Sequence, residues 1–303
     1  MLALQLLFNA IALGAAYALV ALGFVLILNA TSAVNFAQGD LVMVGGFGAL
    51  AFGSLLGLPG IVLLVPLLVV MIGIGFLLAF VAYFPVRKRP PDTVFITTIA
   101  AGIIMSNGAN AIFGPEPRAT PSLVSSGDWQ IGGLVVSYQS AAVIIVAAAL
   151  IVGLHLLFTR TQIGRRLRAT AQDRDVAASI GIPVNLMVAA TFAVGAALAG
   201  AAGLLLSRNF FVSPTDGANY MLKAYIAVTL GGWGSIPGAV IGALIIAAFE
   251  VAFPALPALI PALAPYAEAF TQVWSTVVLY VLILLILWQR PQGLFGEAVR
   301  ARP

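Results

Sequence analysis

Among the polar stretches that separate the apolar runs of this 303-residue chain, three have residue types and spacing that could do chemistry. The first, Asn29-Ala30-Thr31-Ser32-Ala33-Val34-Asn35-Phe36-Ala37-Gln38-Gly39-Asp40, combines amides, hydroxyls and one acid between two apolar runs. Amides donate and accept hydrogen bonds at once. At membrane depth such irregular chain is tolerated only where it lines a cavity or is buried in protein. Asp40 reads either as an acid on a solute pathway or as the cap of a helix beginning at Leu41. The second stretch is Gly231-Gly232-Trp233-Gly234-Ser235-Ile236-Pro237-Gly238. Pro237 suits a first helical turn, and a half-helix starting there would carry about half a positive charge at its tip, a seat for a carboxylate. A tight turn packed against its neighbours is the plainer reading.

The third stretch, Thr159 to Pro183, holds five arginines between Arg160 and Arg174, together with Asp173 and Asp175. From Arg165 to Ser179 it has no Pro or Gly and many helix formers. It is too polar for lipid and too short for a domain. A short helix closed by Gly181 and Pro183 would suit a groove on a soluble partner. The competing reading is a basic helix resting on anionic headgroups, which Asp173 and Asp175 count against.

Enzyme chemistry finds no foothold. The phosphate-binding pattern G-x-x-x-x-G-K-S/T is absent, and Lys88 and Lys223 are the only lysines. No H-E-x-x-H, paired-carboxylate site or nucleophile elbow occurs. With no cysteine and a single histidine, His155, neither a thiol nucleophile nor a metal site is expected, and no cofactor. Energy for any work must come from an ion gradient or from another polypeptide.

The elements that carry these stretches follow from composition. Apolar residues make up 62% of the chain and charged residues 8%, where a soluble domain carries roughly 25% charged. Mean hydropathy is +1.10. So apolar a chain cannot cover itself with polar groups in water, which excludes a soluble enzyme. Continuous apolar runs exclude a transmembrane β-barrel, and a net charge of +4, in short clusters between spans, argues against nucleic-acid binding. The expected fold is all-α: a polytopic membrane protein forming one domain, 1–303, with about seven or eight membrane helices. Spans are expected at Leu2 to Asn29, Leu41 to Leu58, Gly60 to Phe84, Thr93 to Phe113, Leu134 to Phe158, Leu186 to Ser207 and Tyr266 to Trp288.

Basic clusters mark the cytoplasmic side. Placing Arg87 to Arg89, Arg160 to Arg174, and Arg290 with Arg300 and Arg302 on that side puts the 114–133 and 208–222 loops outside, and the N-terminus with them. Parity then leaves the 223–253 segment crossing zero times or twice. Its halves, of about 14 residues each, are too short to cross, so a re-entrant pair of half-helices is expected there. Small residues supply close helix contacts, notably Ala196, Gly200 and Gly203, and the Gly238/Gly242 step.

Four motifs in order resemble one family. They are Val34 to Asp40; Gly164-Arg165-Arg166 with Ala177-Ala178-Ser179-Ile180-Gly181-Ile182; Leu230 to Gly242; and Arg290-Pro291-Gln292-Gly293-Leu294-Phe295-Gly296. From Leu4 to Gly296 the chain is similar to the LivH-type permease subunit of branched-chain (hydrophobic) amino-acid ABC importers. The resemblance implies a bacterial inner-membrane protein, paired with a paralogous LivM-type permease, two cytoplasmic ATP-binding subunits and a periplasmic substrate-binding protein. It implies a coupling segment within 159–185, with Arg165, Arg166, Arg168, Asp173, Asp175, Ala177, Ala178 and Gly181 facing the ATPase. The alanine–glycine loop of such permeases has an acidic residue directly before the two alanines; Val176 stands there, with Asp175 one step earlier. Asn35, Gln38, Gly231, Gly232, Trp233 and Ser235 are the expected path-lining residues. The alternative is an ion-coupled carrier or channel for small polar solutes such as urea or amides; it would need no docking helix.

Overall fold

A helix apolar on every side belongs at the centre of a bundle, and α1, Leu2–Thr31, is one: 30 residues with no charge. In the computed structural model, which describes residues 2–57, 60–120, 122–124, 127–131, 134–290 and 293–295, α1 is the axis of the molecule. Its residues from Ala16 to Ile27 are buried. Around it stand α2 (Gln38–Leu56), α3 (Gly60–Leu78, prolonged by a π turn at Ala79–Tyr83), α4 (Pro91–Phe113), α5 (Tyr138–Arg160) and α8 (Val184–Phe210), then α9 (Gly217–Gly231), α10 (Ile236–Ala252) and α12 (Gln272–Gln289). Short helices α6 (Gln162–Gln172), α7 (Arg174–Ser179) and α11 (Leu256–Leu259) lie between them, with one antiparallel hairpin of β1 (Asp128–Ile131) and β2 (Leu134–Ser137). Among the described residues eight helical stretches are long and apolar enough to cross a bilayer, and the chain is a multi-pass membrane protein.

Contacts along α1 orient the rest. Near its start the Gln5 Oε1 accepts from the Val135 N–H of the hairpin. Near its end the Ala30 carbonyl accepts from Arg174. Arg87 donates to Asn185 Oδ1 at 2.6 Å, just after the α6–α7 segment. The chain after Arg290 returns to α9, with Leu294 N–H on the Leu230 carbonyl. The basic clusters that the structure describes thus share one end, the basic end, with the β-hairpin at the other. Arg300 and Arg302 lie outside the described residues.

Close backbone approach holds the bundle where lipid supplies no hydrophobic drive. At the α2–α8 crossing, Gly45 lies against the Gly200 backbone and Gly203 against the Val42 carbonyl, so a methyl at either would overlap main chain. The small face of α8 is internal packing. Gly238 and Gly242 do the same work between α10 and α9, against Gly231 and Ala227.

Some boundaries differ from expectation for identifiable reasons. Leu134–Ser137 pairs with Asp128–Ile131, and the Ser137 Oγ accepts from the Ser140 N–H, so the fifth span starts at Tyr138. Pro261 and Pro265 hold Pro261–Ala269 in a 3-10 turn, and the last span starts at Gln272. Of the expected pair of half-helices only α9, with 15 residues, is one; its joint with α10 is at Gly232–Ser235. Its depth is different. The joint lies at the basic end, where Asn29 Nδ2 donates to the Gly234 carbonyl. Through a 3-10 turn and α11, the second arm continues to Leu259, a 24-residue stretch long enough to cross. The tip of α10 is therefore not the charged end at mid-depth.

Candidate functional site

The helices that do begin inside the bundle are α2 and α9. After α1 the chain turns at Ser32, with φ +53°, and the Thr31 Oγ1 accepts from the Ala33 N–H. Residues 33–37 then climb back toward the middle. Asn35 and Gln38 hold this segment from within, with exposures of 2% and 0%. The Asn35 Oδ1 accepts from the Ala37 N–H, its Nδ2 faces Gln38 Oε1 at 3.4 Å, and Gln38 Nε2 donates to the Gly195 carbonyl of α8 at 3.2 Å. The Phe36 N–H is taken by Thr98 Oγ1, and its ring meets Phe95 edge-on. The break thus satisfies its polar groups inside protein, as hydrocarbon surroundings demand.

This anchoring starts α2 at Gln38, three residues before the expected Leu41. Asp40 is therefore not the cap; it lies in the first turn, and the N-cap position is Ala37. Its carboxylate sits between Gly102, the midpoint of α4, and Gly217, the first residue of α9, each so close that a methyl would overlap the carboxylate oxygens. It opens onto a cavity of about 440 Å3. One wall is apolar, from Phe36, Ile99, Ile103, Met221 and Leu222; Ser106, Asn107 and Thr215 add polar groups. The cleft can hold a small molecule with a cationic group and an aliphatic part.

Asn35 and Gln38 therefore stand behind this cavity as supports of its floor. Gly231, Gly232, Trp233 and Ser235 are elsewhere, at the α9–α10 joint. Gly232 has φ +106°, and the Ser235 Oγ caps α10 by accepting from the Gly238 N–H. Trp233 is 44% exposed, its ring edge-on to Tyr225. The structure thus separates the six expected path residues into two groups, one near mid-depth and one at the basic end.

The α6–α7 segment departs from the single helix expected. It breaks at Asp173, whose Oδ1 accepts from the N–H groups of Asp175 and Val176 and so starts α7. A well-placed cap outweighs the helix-forming residues around it. α6 turns Gly164, Leu167 and Thr170 inward and leaves Arg165, Arg166 and Arg168 exposed. On α7, Ala177 is buried while Asp175 and Ala178 are exposed, and Gly181 follows with φ +83°. Val176 and Ile180 flank Ala178 and are 57% and 69% exposed. Arg174 points the other way, to the Tyr83 hydroxyl and the Ala30 carbonyl, fastening α7 to the ends of α3 and α1.

Sequence reasoning missed the partners of a buried carboxylate. Glu250 is buried on α10, paired with Lys223 of α9 at 2.7 Å, and accepts from the Tyr17 hydroxyl of α1 at 2.8 Å. It ties three helices together. The signal was available: Lys223 and Glu250 are the only charged residues between Asp216 and Glu268, and charges in an apolar segment seek each other.

Comparison with known proteins follows from this architecture. Residues 6–287 match the model of the family described as branched-chain amino acid transport system / permease component. The permease BraD of a high-affinity branched-chain amino acid transport system in Pseudomonas aeruginosa is 31% identical, over 97% of this chain and 96% of that protein. LivH of Escherichia coli, a permease of the same kind of system, is 32% identical over 78% of this chain and 82% of its own length. The probable permease LivM of Methanocaldococcus jannaschii is 26% identical over 86% of this chain and 76% of LivM. The chain belongs to the family of branched-chain amino acid transport system permease components.

Proposed function

We propose that the chain is a permease subunit of an ATP-driven importer of branched-chain or related hydrophobic amino acids in a bacterial inner membrane. The observation that carries this is the match over residues 6–287 with relatives named as branched-chain permeases over most of their own length. Its partners would be a paralogous permease, two cytoplasmic ATP-binding subunits and an external substrate-binding protein. A matching relative named LivM and others named LivH support a paired-permease arrangement.

The coupling part of the proposal rests on α6 and α7. The exposed face of α7 sets apolar Val176 and Ile180 around Ala178, and the arginines of α6 add a charged rim. An apolar centre with a polar rim is the composition of a protein interface. Closure of the ATPase pair would push on α7, and Arg174 would carry the motion to the ends of α1 and α3. Because α1 leads into the Asn35–Gln38 break, the same displacement would tilt the floor of the mid-depth cavity. Alternate opening of broken-helix sites to the two sides is the general route of solute passage. Asn35 and Gln38 act here as positioning residues, and Gly231, Gly232, Trp233 and Ser235 line the exit at the basic end.

The test is transport by the complete importer in proteoliposomes. L-leucine uptake should require ATP and the binding protein. Replacing Ile180 with Asp should leave this chain folded in the membrane while uptake falls at least about tenfold and the ATPases run uncoupled or fail to co-purify. Gradient-driven uptake by this chain alone, indifferent to ATP, would overturn the proposal.

A further inference from the structure

The mid-depth cavity has a feature that helix packing does not need: a carboxylate with no partner from another residue. Glu250, in the same bundle, is neutralised by Lys223 and capped by Tyr17. Among the described residues no cation pairs with Asp40, and the nearby Asp216 is itself an acid whose carboxylate accepts from the Ser213 N–H. Gly102 and Gly217 leave just enough space for the Asp40 oxygens, so two separate helices are shaped around this group. Asp40 is half-buried, and a carboxylate partly withdrawn from water with no cation beside it carries a desolvation cost. It persists in a fold where something else supplies the opposite charge for part of the time.

We infer that Asp40 receives the α-ammonium group of the passing amino acid, while the wall of Ile99, Ile103, Met221 and Leu222 takes its aliphatic side chain. This rests on the proposed function above and adds to it the residue that recognises the substrate. The ammonium of an amino acid supplies three donors for charge-assisted bonds to a carboxylate. A cleft of about 440 Å3 lies within the range of small-ligand sites. The cleft lining joins the Asp40 carboxylate with apolar side chains, and a hydrophobic amino acid has a group for each. The site belongs to three moving parts, with Asp40 on α2, Ile99 and Ile103 on α4, and Met221 and Leu222 on α9. Tilting the α2 floor would therefore loosen the ammonium contact and release the solute.

The experiment exploits a chain that has no cysteine. A single thiol is introduced by Ser106→Cys, on the cavity wall, with Thr215→Cys as a second position should the first disturb folding. In the purified importer its reaction with a cationic and an anionic methanethiosulfonate is read by mass spectrometry on this chain. The ratio of the two rates cancels the thiol's own reactivity. The cationic reagent should be favoured by roughly tenfold or more, and the preference should collapse in Asp40→Asn. Isoamylamine and L-leucine should slow the labelling, isocaproate should not, and protection should be lost in Asp40→Asn. Asp40→Glu should restore part of both. An unchanged ratio in Asp40→Asn, or L-leucine carried normally with no protection of the thiol, overturns the assignment and leaves the importer reading intact. If the charge preference collapses as expected but the intact importer carries no hydrophobic amino acid, the functional reading falls and the cation subsite stands.

Discussion

Asp40 and Glu250 are two carboxylates at membrane depth in one bundle, and they are treated in opposite ways. Glu250 meets an ammonium at 2.7 Å and a phenol at 2.8 Å, and it is 4% exposed. Asp40 meets two glycines and a cavity. A carboxylate whose charge is cancelled within the chain holds helices together and has nothing left for a solute. One whose charge is left open destabilises the resting protein and can bind. The fold invests stability at one position and gives some up at the other, as functional sites commonly require.

The sharpest way to break this comparison is to strip Glu250 of its charge. Glu250→Gln leaves the Lys223 ammonium without its partner among α1, α9 and α10. Stability in detergent should fall by about 3–5 kcal/mol, the usual cost of orphaning one member of a buried pair. A double change, Lys223→Met with Glu250→Leu, removes both charges and should recover most of the loss. Denaturant-induced unfolding of the three variants measures it. If the double change is no better than the single, the pair is not what holds these helices.

A smaller loss is expected where no charge is involved. Gly200→Val forces a branched side chain into the α3–α8 contact, against Met71, at a cost of about 1–3 kcal/mol for overpacking. Gly200 stands well away from both carboxylates in its chemistry, so its variant sets the scale for pure packing damage. Its unfolding should be eased without altering the charge preference of the thiol labelling. A changed preference would mean that α8 packing, not Asp40, shapes the cavity potential.

Next in size is the phenol that bridges the pair. Tyr17 receives a hydrogen bond from Lys223 and gives one to Glu250. Tyr17→Phe keeps the ring under the ammonium, 4.8 Å from its centroid, and removes only the hydroxyl. About 1–2 kcal/mol should be lost, the net worth of hydrogen bonds to charged groups.

How far such differences were legible in the sequence depended on whether they are local. Continuous apolar runs announced the spans, the basic clusters their common end, and the Gly231–Gly238 stretch a joint between two helices, of which only the first is a half-helix. The Asp173 break was written locally as well, since an Asp followed by helix formers is a cap signal, but the run free of Pro and Gly concealed it. Depth was not legible. Whether a polar stretch such as Asn35 to Asp40 lies at an end or in the middle depends on Thr98, Gly195 and Gly217, residues far along the chain that meet it only in the folded bundle. The two carboxylates look alike in sequence for the same reason: Lys223 is 27 residues from Glu250, and nothing in that spacing marks it as the partner of one acid rather than the other.

The smallest predicted effect on stability is at Asp40 itself, and it is the most discriminating. Two terms oppose each other when Asp40→Asn removes the charge. The carboxylate lies in the first turn of α2, where a negative charge gains about 0.3–1 kcal/mol from the helix dipole. Its removal from apolar surroundings returns a desolvation cost of comparable or greater size. No partner is orphaned, because none stands beside it among the described residues. The net change should lie within about 1 kcal/mol, with the sign set by desolvation toward a slightly more stable protein. The Asn side chain fits the space between Gly102 and Gly217, being the same size. An unfolding transition near that of the parent, together with a lost charge preference in labelling, would mark Asp40 as a group kept for what it binds. A loss as large as that of Glu250→Gln would show instead a concealed structural partner, and the contrast between the two acids would dissolve.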